Sequence, residues 1–129
     1  NIPFVGLACI AAGHILVDRS SPSAIAKTMD TARKRLAKGM SLVIFPEGSR
    51  CIDGKLQRFK RGAFKLATDF NRPIVPVTID GSFNIMSKKA HSINPGKITL
   101  TIHHPIEPSN DMEAIMQQSY NAIKSALPE

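Results

Sequence analysis

Glu47 and Arg50 stand three positions apart in the turn Phe45-Pro46-Glu47-Gly48-Ser49-Arg50, where a proline and a glycine force the chain to change direction. Gly48 lets a ligand come close to the backbone, and Pro46 fixes the entry to the turn. An arginine held on such a turn could grip a phosphate through two parallel hydrogen bonds. The alternative is an ordinary surface turn in which Glu47 and Arg50 pair with each other. Arg58, Lys60 and Arg61 follow a few residues later, at the start of an expected helix. Cations at that end oppose the helix dipole, and an anionic ligand nearby would remove the cost. Arg50 and this trio therefore form a candidate phosphate site. Asp18-Arg19 closes another apolar run and could reach the same rim; otherwise it is a solvated turn pair.

Other reactive residue types are placed where their chemistry is blocked. His14 and Asp18 share a strand face but lie roughly 13 Å apart along it, too far for one to orient the other. His14 is read as a structural or rim residue. His103 and His104 are adjacent on a strand and point to opposite faces, so they cannot readily chelate one ion. No cysteine or carboxylate stands near them at ligand spacing, and no metal site is expected. Cys9 and Cys51 are the only cysteines. Neither belongs to a CxxC pattern, which points to reduced thiols rather than a disulfide scaffold.

The elements that must position these residues are legible from periodicity. Gly13 precedes the short strand signal Ile15-Leu16-Val17. Ser21 is a suitable N-cap with Pro22 at the first helical position. Ile25, Met29, Ala32 and Leu36 then form one helical stripe, which Gly39 should end. Leu42 to Phe45 is a continuous apolar run, as in a strand covered on both faces. A second helix is expected over Arg61 to Phe70, with Ala63, Phe64, Ala67 and Phe70 inward. Ile74 to Ile79 reads as another buried strand, in which Pro76 demands a bulge or an edge. Ile98, Leu100 and Ile102 alternate with Thr99, Thr101 and His103, as in a half-exposed strand. Met112, Ile115, Met116, Ser119, Ile123 and Leu127 make a last helical stripe after a Ser109/Asn110 cap. The order β-α-β-α-β-β-α predicts an α/β sandwich with a mixed, largely parallel central sheet flanked by helices.

The 129 residues suffice for one domain, and 43% hydrophobic content argues against disorder. No apolar run approaches the length of a membrane span. The formal net charge of +7 favours an anionic partner, the alternative being a solvated basic surface with no partner. Nucleic acid is disfavoured as that partner, because Trp is absent, Tyr occurs once and no binding motif is present. A lipid surface or a phosphorylated metabolite remains.

The turn at 45–50 resembles the FPEGTR block of the glycerophospholipid acyltransferases, the lysophosphatidic acid acyltransferase family. Gly13-His14-Ile15-Leu16-Val17-Asp18-Arg19 is similar to that family's GxIFIDR block, and Ile74-Val75-Pro76-Val77-Thr78-Ile79 to its VPVAI block. Ile2-Pro3-Phe4-Val5-Gly6 and Phe59-Lys60-Arg61-Gly62-Ala63 match stretches between the blocks. The blocks at 13–19, 45–50 and 74–79 appear in family order, within one acyltransferase domain spanning residues 1–129.

The resemblance implies transfer of a fatty acyl group from acyl-CoA or acyl carrier protein to lysophosphatidic acid, in phospholipid synthesis at the cytoplasmic face of a membrane. It implies no cofactor beyond the thioester donor, and as partners that donor, the lysophospholipid acceptor and a membrane surface. Arg19 and Arg50 would hold the phosphate, with Lys60 in the same cationic set. Glu47, Gly48 and Ser49 would form the turn that orients the acceptor, and Pro76 would build the wall near the thioester. The family's catalytic His-x4-Asp pair occurs nowhere in the 129 residues. It is expected upstream of Asn1, making the chain an N-terminally truncated, inactive piece. A non-catalytic phosphate- or lipid-binding module is the rival reading.

Overall fold

The computed structural model describes residues 11–15, 21–87 and 92–128. The expected strand at 15–17 falls mostly outside these residues, as does the apolar stretch Ile2 to Ala12. The chain divides into two compact units, residues 1–43 and 44–129.

In the first unit, α1 spans Pro22–Ala37, and its termini follow the sequence closely. The Ser21 hydroxyl accepts from the Ala24 amide at 3.1 Å, satisfying one of the orphan donors of the first turn. At the other end, Gly39 takes a left-handed φ of 79°. The Gly39 amide donates to the Leu36 carbonyl and the Met40 amide to the Arg35 carbonyl. These two bonds are a Schellman stop, which glycine makes possible without steric cost. The Arg35 guanidinium donates to the Gly13 carbonyl, tying α1 to the stretch before it.

The second unit holds α2 (Arg61–Asp69), β1 (Val77–Asp80), the single turn α3 (Ser82–Ile85), β2 (Thr99–Ile102) and α4 (Met112–Ser125). Helix α2 ends as α1 does, with Asn71 at φ 48° in place of glycine. Leu66 is buried on α2, whereas Phe70, expected to face inward, is only half-buried at the C-cap. The cap of α4 is Asp111, whose carboxylate accepts from the Ala114 amide at 2.9 Å. Ser109 stands two residues back, and its hydroxyl accepts from the Asp111 amide.

The core of this unit gathers Phe59, Phe64 and Ile115, with Leu56, Ile74, Ile106, Met116 and Tyr120 packed against them. Phe59 stacks on Phe64 at a centroid distance of 6.0 Å and meets Tyr120 edge-on at 5.2 Å. Such pairs add about 0.5–1.5 kcal/mol beyond their area burial.

The sheet departs from expectation. Among the described residues it has two strands, antiparallel, with Val77 opposite Ile102 and Asp80 opposite Thr99. No strand forms over 42–45, and Val43 is 89% exposed. An extended apolar run becomes a strand only where a neighbour takes up its amides and carbonyls, and β1 and β2 take up each other's. Pro76 interrupts pairing as foreseen. Ile74 bridges Ile106 and β1 begins at Val77, so two residues on one side face three on the other, with the Pro76 carbonyl accepting from the His103 amide at 3.0 Å.

The two faces of this pair are reversed relative to simple patterning. Thr78, 1% exposed, lies on the face toward α4. Its hydroxyl donates to the Ile123 carbonyl at 3.1 Å and stands 2.8 Å from His103 Nε2. The apolar face formed by Val77, Ile79, Leu100 and Ile102 is exposed.

Candidate functional site

The turn at 45–50 is built by three backbone-directed bonds. The Gly48 amide donates to the Phe45 carbonyl at 3.0 Å, and Gly48 has φ 74°. A side chain at position 48 would be strained, so the glycine of the motif is a conformational requirement. The Lys60 amide donates to the Pro46 carbonyl at 2.8 Å. The Gln57 amide donates to Glu47 Oε2, also at 2.8 Å. Both donors flank Phe59, which is 6% exposed and stacked in the core. The turn is thus fastened to a segment that hydrophobic burial itself immobilises.

The Glu47–Arg50 pair considered above is not formed. Glu47 spends its carboxylate on the Gln57 amide, while Arg50 is exposed and makes no hydrogen bond or ion pair among the described residues. Ser49 is exposed beside it. Lys60 is the N-cap of α2 and is joined to the turn through its backbone, with its side chain exposed; that helix start has no side-chain cap. Glu47, Gly48, Ser49, Arg50 and Lys60 therefore share one locus.

Arg61 leaves the cationic set. Its guanidinium pairs with Glu113 on α4 at 2.7 Å, both side chains being exposed. The open groove beside it, about 540 Å³, is lined by Arg61, Gly62, Lys65, Thr68, Asp69 and Met112. Lys65 there pairs with Asp69 at 3.1 Å, so the cations of that groove already have carboxylate partners. Pro76 is buried, and no hydrogen bond among the described residues ties it to the turn. Arg19 lies outside the described residues. His14 is exposed, and Cys51 is a free thiol. Among the described residues, no group of three or more histidines, cysteines and carboxylates could hold a metal.

Gln57 and Asp53 carried no signal in the sequence. Gln57 serves the turn through its main-chain amide, which every residue but proline possesses, and only the fold selects which amide is presented.

A turn of this composition, leaving a strand-like apolar run and abutting a helix start, matches a known family. The acyltransferase family model covers residues 1–80, and the chain belongs to that family. Within it, the chain is similar to 1-acyl-sn-glycerol-3-phosphate acyltransferases. The protein of that name from Chlamydomonas reinhardtii is 31% identical over 128 residues, which are 98% of this chain and 39% of the relative. The one from Cocos nucifera is 36% identical over 126 residues, 97% of this chain and 41% of the relative. The chain thus spans about two fifths of the length of these curated relatives. The crystal structure of the 1-acyl-sn-glycerophosphate acyltransferase PlsC from Thermotoga maritima superposes with a TM-score of 0.83 at 26% identity, covering 97% of this chain and 50% of that one.

Proposed function

We propose that this chain is the acceptor-binding part of an enzyme that acylates lysophosphatidic acid in phospholipid synthesis. The observation that carries the proposal is Arg50, which has no partner among the described residues, on a turn hydrogen-bonded to the start of α2. A phosphate there would meet an uncommitted guanidinium, the Lys60 ammonium and the positive end of a nine-residue helix. Similarity to 1-acyl-sn-glycerol-3-phosphate acyltransferases supports a phosphorylated glycerol acceptor.

The chemistry would be addition of the acceptor hydroxyl to a thioester carbonyl, followed by collapse of the tetrahedral intermediate with release of the thiolate. A base must take the hydroxyl proton as the C–O bond forms, and the departing sulfur then accepts a proton. No histidine of these 129 residues has an aspartate at the family spacing, and none of them is given the role of base. In this scheme Arg50 and Arg19 hold the phosphate, Glu47, Gly48 and Ser49 form the acceptor turn, and Pro76 lines the thioester side. The donor is acyl-CoA or acyl carrier protein, and no further cofactor enters.

We place the reaction at the cytoplasmic face of a membrane, to which a net charge of +7 is suited by attraction to anionic lipid. No helix of the described residues is long and apolar enough to cross a membrane. The test is acyl transfer by the full-length protein to 1-acylglycerol-3-phosphate and to monoacylglycerol, with a long-chain acyl thioester as donor. The phosphorylated acceptor should be strongly preferred. Equal use of both would contradict the phosphate site.

A further inference from the structure

The turn that carries Arg50 is held from outside the motif, by a main-chain amide whose residue is itself fixed by side chains with no assigned role. Gln57 Nε2 donates to Asp53 Oδ1 at 3.1 Å and to the Lys55 carbonyl at 2.8 Å. The same Asp53 oxygen accepts from the Lys55 amide at 3.1 Å. With its side chain so fixed, Gln57 directs its main-chain amide at Glu47 Oε2. The chain of contacts runs from Asp53 through Gln57 to Glu47, two residues before the buried ring of Phe59.

We infer that Asp53 and Gln57 are positioning residues of the acceptor site, and that Glu47 works as their hydrogen-bond acceptor rather than by touching substrate. The inference rests on the reading of this turn as the phosphate site. A carboxylate facing a backbone amide makes a charge-assisted bond, stronger than a neutral one. That bond fixes the turn at Glu47, while the Lys60–Pro46 bond fixes it one residue earlier. Arg50 is then presented at a set place, with no partner of its own among the described residues to restrain it. Loosening the first bond should cost acceptor binding and leave the thioester side alone.

The test uses the full-length protein, with acceptor and thioester varied separately and amide exchange resolved at position 57. Glu47→Ala should speed exchange of the Gln57 amide and lower acceptor kcat/KM by about tenfold each, the scale of one lost hydrogen bond to a charged group, with the thioester KM unchanged. Glu47→Gln keeps an acceptor oxygen and should restore most of both. Asp53→Ala should reproduce part of the loss, and Asp53→Asn should recover it. Two results would overturn the inference: a Glu47→Gln enzyme as impaired as Glu47→Ala while its Gln57 amide stays protected, or an Asp53→Ala enzyme unchanged in acceptor kinetics. An active wild type with an unprotected Gln57 amide would also overturn it. A wild type that protects this amide yet shows no preference for a phosphorylated acceptor would instead overturn the functional reading.

Discussion

Replacing Thr78 by valine removes one hydroxyl from the most buried polar position of β1. That hydroxyl donates to the Ile123 carbonyl at 3.1 Å, so His103 Nε2, 2.8 Å away, must be the donor to its oxygen. Leaving a buried polar group unsatisfied costs about 1–3 kcal/mol. Both partners here have relief. The Ile123 carbonyl also accepts from the Ala126 amide at 3.3 Å, and His103 is only half-buried and can turn toward water. The low end applies, and Thr78→Val should destabilise by about 1–2 kcal/mol, with the methyl-sized replacement leaving packing intact. Urea unfolding followed by circular dichroism measures this as a lower midpoint at unchanged slope. A double-mutant cycle with His103→Ala isolates the hydroxyl–imidazole bond and should give a coupling of about 0.5–1.5 kcal/mol. An unchanged midpoint, or strict additivity in the cycle, would refute the view that this face of the sheet is held inward by its hydroxyls.

Two further substitutions probe the frame. Ser21→Ala should cost about 1 kcal/mol, because the first turn of α1 loses its side-chain acceptor, and Ser21→Asp should keep the stability in the same thermal melt. Ile102, 75% exposed on the apolar face of β2, should tolerate lysine without loss of stability; if that face drives association of the isolated chain, Ile102→Lys should also shift sedimentation toward monomer.

Much of the frame could be read from residue spacing. The limits of α1 followed from Ser21, Pro22 and Gly39, because capping is local chemistry acting over three or four residues. Helix α2 and the break at Pro76 were legible for the same reason. The sheet was not. Leu42 to Phe45 has the composition of a buried strand, but pairing depends on what lies alongside, which no local pattern encodes. The alternation in β2 is legible, but which face turns inward is not, since Thr78 and His103 satisfy each other against α4 while the aliphatic residues face out. At the candidate site, the residue types of the 45–50 turn were evident, and so was the choice between a Glu47–Arg50 pair and a free arginine. Only the fold decided it, by presenting the Gln57 amide to Glu47.

The claim that Arg50 binds the acceptor phosphate is tested most directly by steady-state kinetics of Arg50→Ala in the full-length protein, with lysophosphatidic acid and the acyl thioester varied separately. Acceptor kcat/KM should fall by about 30-fold, or about 2 kcal/mol, the worth of one charged hydrogen-bonding partner. The thioester KM should stay constant. Arg50→Lys should regain only part of the loss, because a point charge cannot reproduce the guanidinium fork. An Arg50→Ala enzyme with unchanged acceptor kinetics would contradict the account.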